Sequence, residues 1–352
     1  MYAALYDADA PDFVNGISVS PPRETNPLSF EDPLKQESAI LRTPAGRALD
    51  DKLKNEELEK AKSSQRVFNE MEGSLYKIWT AGSVIFGSMN VSTLGVATRT
   101  HFTLGSITAG LDTKLIDNVK GGFAISYSSG NDDIGTDGSK MNSRSLAGSL
   151  YASWKLSHSV FLDGSVGYGG VSFDSRRLDS NAGSFITGAR NGRILFGSLT
   201  LSYDHKDGQL FYAPYARLDM IKANLDPFTE QGDASGILSW NSASMGSKTA
   251  VLGLRGEYGI EQSWGILSPT GRLEYRRMLS GNVTQAMSYA NDSSTTYSLT
   301  TIGADREMFM GSLGLKARST GEVTGEVEFL VNGSKTGGLQ GHGIRGRLKV
   351  EF

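Results

Sequence analysis

The last ten residues, Gly343 to Phe352, read GIRGRLKVEF. By parity, Ile344, Gly346, Leu348, Val350 and Phe352 fall on one side, and Gly343, Arg345, Arg347, Lys349 and Glu351 on the other. A strand turns alternate side chains to opposite faces, so this segment has an apolar face and a face with four charges in succession. The same period of two runs back to about residue 75. Val119, Gly121, Phe123, Ile125 and Tyr127 alternate with Lys120, Gly122, Ala124 and Ser126. Leu146, Gly148, Leu150, Ala152, Trp154 and Leu156 share a face, as do Leu195, Gly197, Leu199, Leu201 and Tyr203. Phe309, Gly311, Leu313 and Leu315 oppose Ser312, Gly314, Lys316 and Arg318. Val323, Gly325, Val327, Phe329 and Val331 oppose Glu322, Thr324, Glu326 and Glu328.

Alternating segments fall at about 75–90, 100–115, 118–130, 141–156, 159–174, 188–204, 209–224, 246–260, 265–281, 296–318, 321–333 and 339–352, roughly twelve in all. After the even segments the links are short: IDN, SHS, HKDG, EQSW and STG. After the odd ones they are mostly longer and polar, such as SSGNDDIGTDGSK, DSRRLDSNAGSFITGAR and LDPFTEQGDASGILSWNS. An even number of antiparallel strands with short turns at one end and long loops at the other is the pattern of an outer-membrane barrel. A closed barrel is also the one β-structure that satisfies every backbone group in lipid.

The competing reading is a soluble sandwich, whose core needs bulky side chains from both sheets. Here glycine interrupts the apolar face, and charges sit in the middle of strands on the other. Arg272, Glu274 and Arg276 alternate with Leu273 and Tyr275, and Arg255 and Glu257 lie beside Leu254 and Tyr258. Together with Arg345 and Arg347 these are assigned to a water-filled lumen.

Composition agrees. The chain has 352 residues, a net charge of −3 and no cysteine, with a pI near 5.9 and a mean hydropathy of −0.27. Without a basic excess there is no footprint for nucleic acid. Without cysteine there is no disulfide scaffold, thiol nucleophile or thiolate metal site. No run of about 18 apolar residues is present, which excludes a membrane helix but not a barrel, whose alternation averages to a soluble-looking hydropathy. The opening MYAALYDADAPDFVNG lacks a basic n-region, a long apolar stretch and a cleavage site.

Residues 1–44 are rich in proline and irregular, and read as a linker or the remnant of something upstream. Residues 45–74 read as a helix with charge on every side, Thr43 placed to cap it and Pro44 suited to its first turn. No GxSxG elbow, phosphate loop or metal-spaced histidine cluster occurs, so neither an enzyme nor a cofactor is expected. His342 with Asp132 or Asp133, near the outer rim, is the best available acid–base pair.

The order of LYKIWTAGSVIFG, SITAGLDTKLIDNVKGGFAISYSSG, APYARLDM, PTGRLEYRR and the closing GIRGRLKVEF resembles the translocator domain of type V secretion autotransporters, over roughly residues 45–352. The resemblance implies an all-β, twelve-stranded antiparallel transmembrane β-barrel (75–352) in a Gram-negative outer membrane, with an N-terminal helix in the pore (45–74). It implies export and anchoring of an N-terminal passenger, absent or truncated in this chain, and a monomer surrounded by lipid. Lys52, Glu56, Glu57 and Arg66 of the pore helix would then face lumen charges. It further implies that Gly346, Leu348, Val350 and Phe352 form the signal read by the barrel assembly machinery. In the commonest form of that signal a glycine lies on the opposite parity from the terminal aromatic, where this chain has Arg347. Some members cut their own linker at an Asn-Asn pair. Here Asn55 precedes Glu56 and Asn69 precedes Glu70, so self-cleavage is not expected. A porin or a barrel enzyme is the alternative.

Overall fold

Alternation over so many segments leaves each strand with one face that must meet its neighbours' apolar side chains or lipid. The computed structural model describes residues 76–93, 96–232, 236–280, 283–301, 306–320 and 323–351. The expected linker, the pore helix with Lys52, Glu56, Glu57 and Arg66, and the terminal Phe352 lie outside the described residues. Twelve long strands are present: β1 (Tyr76–Thr93), β2 (Val96–Ile116), β3 (Val119–Ile134), β4 (Ser139–Lys155), β5 (Val160–Asp179), β6 (Ser184–Tyr203), β7 (Leu210–Leu225), β8 (Ala243–Tyr258), β9 (Gly265–Ser280), β10 (Glu307–Ser319), β11 (Val323–Ser334) and β12 (Leu339–Glu351). Each pairs antiparallel with its neighbour in the chain, and β12 pairs with β1 from Lys77↔Glu351 to Met89↔Leu339. The sheet closes on itself and leaves no edge along the wall.

The outside is apolar. Phe123, Ile125 and Tyr127, Leu146 and Leu150, Leu195 and Leu199, Leu313 and Leu315, Val327 and Phe329, and Ile344 and Leu348 are all exposed. Their sequence neighbours Ala124, Ala147, Ser149, Thr200, Ser312, Arg345 and Lys349 are buried on the inside. Aromatic side chains gather near the short-turn end, where His205 lies 4.9 Å from Tyr212 and 6.3 Å from Tyr203, as in the interfacial girdle of membrane barrels.

Two expectations about the connections need correction. The segment SSGNDDIGTDGSK is mostly strand, and the chain reverses only at Gly135–Gly138. Both of those glycines have positive φ (66° and 84°), which other residues adopt at a cost. In that turn the Ser139 N–H donates to Asp137 at 2.9 Å and holds its carboxyl below the usual range. The strand expected at 296–318 divides. Its second part is β10, whereas Asp292–Thr301 belongs to a separate four-stranded sheet with Val283–Tyr289, Leu238–Trp240 and Phe228–Thr229.

That second sheet is built from the β7–β8 and β9–β10 connections at the long-loop end. Two arginines of the barrel hold it. Arg177 of β5 donates to Glu230 through Nε at 2.9 Å and Nη2 at 2.6 Å, and to the Gly236 carbonyl at 2.6 Å. Arg190 of β6 donates to the carbonyls of Asp226 at 2.7 Å and Asn241 at 2.9 Å, and to Gln285 Oε1 at 3.0 Å. Phe228 and Trp240 stack beneath, their ring planes 3° apart. Arg190→Ala removes a buried donor serving three acceptors. Protease added to intact cells is expected to cleave residues 281–306 about tenfold faster than in the wild type, the equivalent of one charge-assisted hydrogen bond of ~1.5 kcal/mol. The temperature at which the barrel unfolds should change little. An unchanged cleavage rate would show that the sheet is held by other means.

Candidate functional site

The lumen is the candidate site, and its wall has two unlike halves. On β7 to β12 the inward positions are charged and interlinked. Glu274 is the hub. It accepts from Arg217 at 3.2 and 3.3 Å, from Arg276 at 2.8 Å and from the Tyr215 hydroxyl. Arg272 Nη1 lies 3.6 Å away. Arg217 also donates to Asp219 at 2.9 Å. Arg272 reaches on to Glu328 at 3.2 Å, which also takes Arg345 at 3.3 Å and the Ser312 hydroxyl. Lys316 meets Glu257 at 2.6 Å, Arg255 meets Asp204 at 3.4 Å, and Arg347 meets Glu326 at 3.8 Å. A chain of ion pairs thus crosses from β7 to β12 by way of β9 and β11, with Glu274, Arg272 and Glu328 each shared between two or more partners.

Of the seven charges assigned to the lumen from the sequence, Glu274, Arg276 and Arg345 are buried, and Arg255, Glu257, Arg272 and Arg347 each make an ion pair given above. Arg217, Asp219, Lys316, Glu326 and Glu328 belong to it equally, and the alternation of the sequence did not single them out. Glu326 and Glu328 oppose Arg347 and Arg345 across the β11–β12 pair, and Lys316 opposes Glu326 across β10–β11, so strand register as well as parity is needed to find them. A cavity of about 190 Å³ lies against this half, with Arg217, Arg255, Arg272, Lys316, Arg345, Arg347 and Lys349 facing Asp163, Glu257, Glu326 and Glu328. Cations are in excess around it.

On β1 to β6 many inward positions near mid-barrel are small. Serine pairs bridge neighbouring strands: Ser83 with Ser106 at 2.8 Å, Ser128 with Ser145 at 2.8 Å and Ser165 with Ser198 at 2.9 Å. Three large inward side chains there lie over a glycine of a neighbouring strand. A Cβ on Gly110 would come within 2.5 Å of the Trp79 ring, one on Gly122 within 2.6 Å of Tyr151, and one on Gly167 within 2.2 Å of Phe196. These rings therefore lie flat along the wall. Trp79 donates to Asp112 at 2.9 Å and to the Tyr151 hydroxyl at 2.8 Å, and Tyr151 in turn donates to Asp112.

Toward the long-loop end the inward face becomes apolar. Ile85, Met89, Phe102 and Leu330 form one buried cluster and Met141, Phe173, Leu225 and Ala243 another. Of the acid–base pair considered above, Asp132 is buried on the inner face, whereas His342 is exposed on the outer face with its ring 6.0 Å from Phe86. Asp133 pairs with Lys140 at 3.0 Å. The fold does not bring these groups together. Gly346 and Leu348 face outward on β12, Leu348 exposed.

A closed twelve-stranded antiparallel barrel with a lipid-facing exterior and a charged lumen defines a transmembrane barrel of outer-membrane type. The chain belongs to the autotransporter β-domain family, whose model matches residues 78–329. It is an outer-membrane translocator domain of a Gram-negative bacterium, a transport unit associated with an N-terminal passenger. Among solved structures it is similar to the translocator domain of autotransporter NalP from Neisseria meningitidis, with a TM-score of 0.64 at 14% identity over 85% of this chain and 98% of that one. It is also similar to the β-domain of the Bordetella autotransporter Brka, with a TM-score of 0.54 at 12% identity over 79% of this chain and 100% of that one. At such identity the likeness is one of fold. No curated protein sequence matches the chain.

Proposed function

We propose that residues 1–44 are what remains of, or leads to, the exported passenger, and that residues 45–74 stay behind as a helix in the lumen. In this reading Lys52, Glu56, Glu57 and Arg66 meet Arg255, Glu257, Arg272, Glu274, Arg276, Arg345 and Arg347. The observation that carries it is where the barrel begins. Tyr76 starts β1 at the short-turn end, beside the lumen opening, with Lys77 in register with Glu351 of the last strand. That is the periplasmic end, so a segment that joins there and finishes at the cell surface has to run through the lumen. The barrel works alone, as a monomer, and has no catalytic role. Gly346, Leu348, Val350 and Phe352 form the signal read by the barrel assembly machinery.

The test uses the full chain behind a foreign signal peptide, with an epitope tag ahead of residue 45. Protease added to intact cells is expected to remove the tag. A tag that becomes accessible only after the outer membrane is permeabilised would overturn the reading.

A further inference from the structure

The outward faces of β6, β7 and β8 carry a row of cations. Arg193, Lys222 and Lys248 are exposed and share the parity of the lipid-facing residues of their strands. Lys222 is in register with Leu195 of β6, two positions from Arg193, and with Gly246 of β8, two positions from Lys248. The three are thus diagonal neighbours on adjacent strands, roughly 7–8 Å from one to the next. No carboxylate occupies an outward position of these three strands. Among the described residues, none of the three cations makes an ion pair or a hydrogen bond. Exposed lysines elsewhere are paired: Lys114 with Asp117 at 2.9 Å, Lys140 with Asp133 at 3.0 Å and Lys335 with Glu307 at 2.6 Å. Arg144 of β4 flanks the row, but Asp174 lies diagonal to it on β5.

Their height in the membrane follows from the aromatic residues below them. Arg193 stands ten residues above Tyr203, Lys222 ten above Tyr212 and Lys248 ten above Tyr258, and all three tyrosines are exposed near the short-turn end. Ten residues measure about 33 Å along a strand. At a tilt of about 40° that is about 25 Å along the membrane normal, the height of the apolar band of a membrane barrel. Exposed Leu195, Leu199 and Leu201, Met220, and Leu252 and Leu254 fill the interval. With the tyrosines at the periplasmic interface, the cations stand where the head groups of the outer leaflet begin. On β1 the same interval leads from Tyr76 to Phe86, which is exposed and apolar, so the cations do not form a ring around the barrel. We infer that Arg193, Lys222 and Lys248 form a binding site for a phosphate-bearing lipid of the outer leaflet, whose acyl chains lie along the leucines below. The occupant is argued from charge and depth. A guanidinium and two ammonium groups at head-group level, with no carboxylate on their own faces, match a phosphate, which takes two hydrogen bonds from arginine and a point charge from lysine. In a Gram-negative outer membrane, lipopolysaccharide offers phosphates at that depth. Basic clusters at a membrane surface recognise anionic head groups in the same way.

The test titrates the full chain, produced behind a foreign signal peptide and purified in detergent, with lipopolysaccharide and with lipopolysaccharide stripped of its phosphates. The wild type is expected to bind the intact lipid roughly tenfold more tightly than the stripped one. The triple variant Arg193→Gln, Lys222→Gln, Lys248→Gln should lose most of that preference. A second triple, Lys114→Gln, Lys140→Gln, Lys335→Gln, removes the same charge from paired positions and should bind as the wild type does. Equal affinity of the wild type for the two lipids, or equal losses in the two triples, would overturn the inference. Retained heat resistance on an unboiled gel shows that a variant is folded. Should the first triple not fold, Lys222→Gln alone, at the centre of the row, decides: a smaller loss of preference is expected, and an unchanged preference would overturn the site.

Discussion

Glu274→Ala is expected to lower the temperature at which the barrel gives up its heat-resistant gel mobility more than any other single change in the lumen. The Glu274 side chain is fully buried, with Arg217 at 3.2 Å, Arg276 at 2.6 Å and Arg272 at 3.6 Å. Removing it leaves guanidiniums crowded together with their shared counter-charge gone, and breaking a buried pair from one side typically costs ~3–5 kcal/mol. Glu274→Gln separates charge from shape, because the amide still accepts from the Tyr215 hydroxyl but no longer neutralises the arginines. Its loss should be intermediate. Adding Arg276→Met to Glu274→Gln should recover part of it, since one uncompensated cation is then gone. A Glu274→Ala barrel that unfolds at the wild-type temperature would mean that water serves the arginines and the lattice carries no weight.

Leu273→Arg tests the other face one residue away. Leu273 is 66% exposed and lies between Arg272 and Glu274, which face inward. Charge is thus tolerated on both sides of it in sequence and should be rejected at it. An arginine at mid-membrane on the lipid face costs about 2–4 kcal/mol in barrels, and less toward either interface. The measurement is the same gel shift against temperature, with Thr270→Arg on the lumen side as the control. Equal behaviour of the two variants would mean that Leu273 does not face hydrocarbon.

The barrel was legible because its two solvents are written into alternate positions. Ile344 and Leu348 against Arg345 and Lys349 are readable without any partner strand. The tenth strand was misplaced for the same reason. YSLTT alternates as a barrel strand does, and local periodicity does not say which sheet a strand joins. The long surface connections were read as loops because β3 to β6 run on beyond the membrane, where water wets both faces and the apolar alternation fades. In the lumen, parity marked the inward charges but not their partners. That Arg217 of β7 meets Glu274 of β9 across β8 depends on barrel curvature, which no local pattern encodes. Nor did the sequence distinguish inward aromatics from outward ones until Gly110, Gly122 and Gly167 were seen beneath them.

The seam between β1 and β12 has a consequence in time. Its thirteen register pairs join residue 77 to residue 351 and residue 89 to residue 339. Every other pairing in the wall joins strands adjacent in the chain, so hairpins can zip in sequence as the polypeptide arrives. The final junction cannot form until the last residues are delivered. The entropy of closing so large a loop grows only with the logarithm of its length, so the delay lies less in thermodynamics than in waiting. During that wait the first and last strands both expose unpaired backbone edges, which invite pairing with any other strand nearby. The nascent barrel is therefore most vulnerable just before it is finished, and a shield for those two edges is needed only until the moment they meet.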